Sequence, residues 1–215
     1  MYQPPHFKED RIEVMHELMR AHPFATLVSM QDGRLAADHL PLVIFPELSE
    51  KGTVRGHIAK ANPLWKERAK LSPAILAVFQ GPQAYVTPSW YPSKKEHGKV
   101  VPTWNYAVVQ AHGELVFHDD PVWLAEHLQE ITQRQEKHRP APWAVNDAPD
   151  DYMARQLKGI VGIEFVIRQL EGKWKVSQNR NEQDRVGVQQ GLLLEAGDDA
   201  LAVSRLVGAA GRSRS

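Results

Sequence analysis

Asp32-Gly33 separates two β-rich runs, FATLVSM before it and LAADHLPLVIF after it. Glycine accepts the positive φ of a two-residue turn, so Asp-Gly between such runs is a strong hairpin signal. Further runs follow: GTVRGHIA, PAILAVFQG, QAYVTP and TWNYAVVQAHGELVFH. The spacing predicts a Gly-Pro turn between the fourth and fifth strands and a bend at Gly113. Later, GIVGIEFVIRQLEGKWKVSQN reads as strand, turn, strand. Six or seven strands in hairpin order predict a mainly β fold with peripheral helices, an antiparallel barrel that is closed or split. A doubly wound parallel sheet needs regular strand–helix alternation, and this pattern lacks it.

Helices are expected at the margins. Ile12, Met15 and Met19 fall at helical spacing within Glu9 to His22, and His22-Pro23 ends that run. Asn62 is placed to cap a helix that has Pro63 at its first position. Asp119 or Asp120 can cap another, running from Pro121 to about His138. DDYMARQLK, EQDRVGVQQGLLLEAG and DDALAVSRLVGAA complete the set. A length of 215 residues suits one domain, here residues 1–208 with a helical C-terminal part. Gly208, Gly211 and the Ser/Arg ending predict a flexible tail over 209–215.

Several chemistries are excluded. With no cysteine, thiol catalysis, disulfides and thiolate metal sites are ruled out. The 26 basic and 26 acidic side chains balance, so charge gives no support for DNA binding. MYQPPHFKEDRIEV lacks the basic and apolar regions of a signal peptide, and no apolar run reaches the roughly 20 residues of a membrane helix. The expectation is a cytoplasmic protein with no membrane partner. P-loop, Rossmann, nucleophile-elbow and zinc-protease patterns are absent. His118, His127 and His138 are spaced so as to scatter, which predicts ordinary hydrogen bonding rather than a metal site. Asp119-Asp120, Asp150-Asp151 and Asp198-Asp199 each stand before or at a predicted helix start, where capping explains them.

Three stretches carry recognition chemistry. GHIAKANPLW sets His57, Lys60 and Asn62 between a strand end and a helix start. That arrangement suits either an anion site or a plain N-cap with a solvated lysine. VTPSWYPS and VPTWNYA flank SKKEHGK, read as a hairpin loop. Aromatics alternating with polar groups can cover a planar ring and bond its edge, or fill a homodimer seam. WKVSQNR runs a strand out into Ser177, Gln178, Asn179 and Arg180, a hydrogen-bonding fringe for a polyol or phosphate tail, or a solvated turn.

These stretches, with MYQPPHF, HPFATLVS and ADHLPLVI in order along nearly the whole chain, resemble the PaiB-type FMN-binding negative transcriptional regulators. The resemblance implies a dimeric split β-barrel related to pyridoxamine-phosphate oxidase, with FMN held between two chains. It implies His57, Lys60 and Asn62 at the phosphate, and Thr103, Trp104, Asn105, Tyr106, Ser177, Gln178 and Arg180 at the ring and ribityl chain. The arginines that pyridoxamine-phosphate oxidases use for the FMN phosphate have no counterpart in ADHLPLVI or AKANP. The family also implies repression of genes, with DNA as a partner. The alternatives are a flavin-dependent reductase or oxidase using NAD(P)H, and a haem-binding protein of the same fold.

Overall fold

A computed structural model describes residues 1–212. The hairpin at Asp32-Gly33 forms with both residues at positive φ, 49° and 73°. It joins β2 (Phe24–Gln31) to β3 (Arg34–Pro41), which pair antiparallel from Phe24↔Pro41 to Gln31↔Arg34. The other strands are β1 (Lys8–Glu9), β4 (Val43–Phe45), β5 (Thr53–Ala59), β6 (Ile75–Val86), β7 (Thr103–His118) and β8 (Ile160–Lys175). They form one sheet in the order β3-β2-β6-β7-β8-β5-β4, with β1 added to β8. The fold is thus mainly antiparallel β with helices at the margins.

Two expected turns are absent. β6 continues through Gly81-Pro82, because the bare face of Gly81 lies against the Leu18 side chain and the carbonyl of Ala107; a Cβ there would come within 2.8 Å of Leu18. β8 continues through Glu171-Gly172, because Gly172 is paired with Glu9 of β1. Local turn chemistry loses in both places to strand pairing.

Helices α1 (Ile12–Ala21), α2 (Pro63–Lys66), α3 (Ser93–His97), α4 (Pro121–Glu136), α5 (Asp150–Lys158), α6 (Glu182–Leu194) and α7 (Asp198–Arg212) complete the chain. The expected caps form. Asn62 accepts from the Leu64 N–H and Asp120 from Val122 and Trp123, and α6 has a further cap in Asn181, which accepts from Asp184. SKKEHGK is the one-turn helix α3, closed by Gly98 at φ 66°, instead of an open hairpin loop. α7 runs through Gly208 and Gly211 to Arg212, four residues beyond the point where the flexible tail was expected. Residues 213–215 of the expected tail lie outside the described residues.

The chain divides into two compact units, and β6, β7 and β8 each run through both. The first comprises residues 1–21, 80–110 and 171 onward. Its core includes Val86, Tyr91, Val176, Val188, Leu192 and Val203, which pack α6 and α7 on the strand ends. The second comprises residues 22–79 and 111–170. There Leu27, Ile44, Val54, Phe79, Ile163 and Phe165 are fully buried, on the alternate positions that a sheet with one covered face requires. No helix among the described residues is long and apolar enough to cross a membrane.

α4 docks in the second unit through Trp123, whose indole lies directly over Gly162 of β8. A Cβ at Gly162 would stand 2.1 Å from the ring. Gly162→Ala is therefore expected to lower stability by about 1–3 kcal/mol, read as a fall in thermal midpoint. An unchanged midpoint would mean that the indole has room to retreat.

Candidate functional site

In the first unit, the start of β7 and the end of β8 bring most of the expected ring-binding residues together. The Asn105 Nδ2–H donates to Ser177 Oγ at 2.9 Å, and both residues are buried. Ser177 sits at φ 65°, in the left-handed region that costs a residue with a Cβ about 1–2 kcal/mol. The turn is held from two sides. Ser177 O accepts from the Arg180 N–H at 3.0 Å. Gln178 spans the bend, donating to Trp174 O at 2.6 Å and accepting from the Val176 N–H at 2.8 Å. Gln178 therefore staples its own turn.

Lys175, which the sequence reading did not single out, is the centre of this cluster. Its ammonium donates to Thr103 Oγ1 and to the carbonyl of Trp104. Lys173, two residues back on the same strand face, reaches Tyr2 O at 3.0 Å and lies 5.5 Å from the Tyr106 ring. Arg180 lies over the ring of Tyr91 at 4.7 Å. None of these three cations forms an ion pair among the described residues. Partial burial first, then the charges of Lys173 and Arg180, holds the Lys175 ammonium below the ordinary lysine range. An anion placed here would relieve that excess of positive charge.

Beside these cations, Trp104 is 53% exposed and Tyr85 48% exposed, their rings edge-to-face at 6.1 Å. Two large aromatic faces open to solvent next to a partly desolvated cation and a hydroxyl form a surface that fits a flat, electron-poor ring with acceptor oxygens on its edge. A flavin has that chemistry. Lys175 and Thr103 can serve its polar edge, Trp104 its face with Tyr85 edge-on to the indole, and Arg180 or Lys173 its phosphate.

In the second unit, His57, Lys60 and Asn62 all lie at the end of β5, yet each turns to a partner of its own. His57 Nδ1 lies 3.5 Å from His127 Nε2. Lys60 forms an ion pair with Asp119. The Asn62 amide caps Leu64 at 2.8 Å and donates to Asp38 Oδ1 at 2.8 Å. α2 is a single turn, too short for an appreciable macrodipole. Of the histidines expected to scatter, His118 and His127 instead flank Trp123, stacked on its indole at centroid distances of 4.2 and 5.0 Å. Burial, then the charges of His57, Arg55 and His118, pushes His127 down to about 4. Among the described residues, no group of three or more His, Asp or Glu is arranged to hold a metal ion.

Comparison with known proteins bears on this geometry. Residues 1–169 match the family model described as "Putative FMN-binding domain". The protein "Protease synthase and sporulation protein PAI 2" of Bacillus subtilis is 33% identical over 207 residues, covering 96% of each chain. The chain belongs to the PaiB-type FMN-binding family. Among solved structures, the flavocytochrome Anf3 of Azotobacter vinelandii superposes with a TM-score of 0.55 at 15% identity, over 84% of this chain and 75% of that one. An FAD and haem binding protein of Mycobacterium smegmatis superposes at 0.56 and 14% identity, over 78% and 73%. At such identities these two share the fold with the PaiB-type chain and nothing finer.

Asn105→Ala leaves the buried Ser177 hydroxyl without its donor. It is expected to cost about 1–3 kcal/mol, measured by denaturant unfolding, with the double variant Asn105→Ala, Ser177→Gly recovering part of the loss. Equal loss in the single and double variants would show that the Asn105 contact does not hold Ser177 in its conformation.

Proposed function

We propose that the protein binds FMN at the Lys175–Thr103–Trp104 cluster and acts as a flavin-linked negative regulator, as a dimeric split barrel. The observation that carries this reading is Lys175: a partly desolvated ammonium, flanked by two further cations, with no carboxylate partner among the described residues, bonded to the carbonyl of the exposed Trp104. Family membership supports the choice of FMN. When bound, the flavin supplies one- or two-electron redox chemistry. The chain's own part is to orient it: Lys175 and Thr103 fix the polar edge, Trp104 covers a face with Tyr85 edge-on to the indole, and the Ser177–Arg180 turn offers donors to the ribityl and phosphate groups.

Asn105 and Gln178 serve this site from behind. Asn105 holds Ser177 in its unusual conformation, and Gln178 closes the turn that aims Arg180. Tyr106, under Lys173, keeps that ammonium against the strand. The sequence-based assignment of the phosphate to His57, Lys60 and Asn62 requires Lys60 to leave Asp119, so it is tested separately.

Regulation proceeds through the flavin or a protein partner instead of direct operator reading, because the formal charge is zero and both α6 and α7 begin with acidic residues. A second reading, an NAD(P)H-linked flavin reductase, draws support from the open aromatic faces. Hydride transfer to a flavin needs an accessible ring more than a protein acid or base.

The deciding experiment is the visible spectrum of the purified protein with and without added FMN, followed by an affinity titration. Lys175→Ala is expected to weaken FMN binding at least tenfold, an effect of order 1.4 kcal/mol, while circular dichroism stays unchanged. Lys60→Ala is expected to weaken it only if Lys60 reaches the phosphate. Full affinity in a folded Lys175→Ala protein removes the cluster from the site. In a mobility-shift assay, any DNA complex is expected to vanish by about 200 mM salt; survival of a tight complex overturns the indirect mode of regulation. Steady FMN-dependent oxidation of NAD(P)H would favour the second reading.

A further inference from the structure

α4 docks through two fully buried side chains, with Leu128 and Ile131 half-buried beside them. Leu124 and His127 are its buried residues. Trp123 fills the slot over Gly162, and near the far end Arg134 donates to Ile44 O at 3.1 Å and lies over the Phe45 ring at 4.2 Å. One of the two buried anchors is therefore an imidazole, 4% exposed, whose only hydrogen-bond contact among the described residues is the nitrogen of another imidazole. Its other nitrogen, Nδ1, is buried without a partner among the described residues, and so is Nε2 of His118.

Proton accounting then fixes how the pair works. Two facing imidazole nitrogens hold a hydrogen bond only if one carries a proton and the other does not. The cheaper tautomer puts the proton on His127 Nε2, donating to His57 Nδ1. The orphan at His127 Nδ1 is then a lone pair instead of a buried N–H. A second proton has no good place. On His127 Nδ1 it would be a charged donor with nothing to accept it, and on His57 Nδ1 it would meet the proton already there.

The surroundings oppose the charge as well. Arg55 faces His127 from β5 beside His57, and His118 faces it from the end of β7. Glu164 of β8 is held by Arg55 at 2.7 Å. α5, which also packs on α4, adds no charge that acts on His127. Burial lowers His57 too.

We infer that the His57–His127 pair is an acid-sensitive clasp that holds α4 on the sheet at neutral pH and releases it in mild acid. The sign follows from the lowered affinity for protons. Below the ordinary histidine value of ~6.5, the released helix takes up protons that the docked helix refuses until about pH 4. Docking therefore weakens steadily as pH falls through that window. The clasp does not depend on the Lys175 cluster, but it requires His57 to face His127 and not a flavin phosphate.

Hydrogen–deuterium exchange of the full chain at pH 7.5 and pH 5, corrected for intrinsic rates, tests this. Amides of residues 121–136 are expected to lose protection at least tenfold at pH 5, while amides of β7 and β8 in the same unit keep theirs. In His127→Leu the helix is expected to stay protected at both values. Equal pH dependence in wild type and variant overturns the clasp. If the variant does not fold, the wild-type imidazole signals serve instead. A His127 midpoint well below 6 that coincides with loss of α4 protection supports the proposal, and a midpoint near 6.5 with α4 intact overturns it. A rise of several degrees in thermal midpoint on adding zinc at pH 7.5, lost in His127→Leu, would make the pair a metal site and also overturn it.

Discussion

Backbone pairing along three long strands governs this chain. β7 and β8 each run for 16 residues and β6 for 12. Every N–H and C=O along them needs a partner once buried. That requirement overrides local turn signals at Gly81-Pro82 and Glu171-Gly172, carries the strands from one unit into the other, and places recognition residues where the strands end. Thr103 opens β7 and Lys175 closes β8. Their meeting is a result of register, not of nearness in sequence.

The parts of the fold legible in sequence were those set by short-range chemistry. Asp32-Gly33, Asn62-Pro63 and Asp120-Pro121 each announce a turn or cap with a local physical cause, and each forms. The parts that were not legible depend on what lies across the sheet. A Gly-Pro pair reads as a turn until one sees Leu18 against Gly81. SKKEHGK reads as an open loop because a single helical turn has almost no periodicity to detect.

The site shows the same division. Aromatic and polar bursts pointed to the β7 start, and the polar run pointed to the turn after β8, two stretches that the sheet brings into contact. Lys175 escaped notice because a lysine alternating with Trp and Val looks like the solvated face of a strand. Only the absence of a carboxylate, together with Lys173 and Arg180 nearby, gives it meaning. His118 and His127 escaped for a different reason. Their nine-residue separation fits no metal or helical pattern, and what joins them is the indole of Trp123 between them.

That indole has an optical consequence. A neutral imidazole stacked on tryptophan leaves much of its emission intact, whereas an imidazolium withdraws electron density from the excited ring and quenches it. Trp123 is stacked with both His118 and His127, so its fluorescence registers the protonation of His127. Trp104 is open to solvent and emits at longer wavelength, and a flavin bound as proposed above would accept its excitation energy.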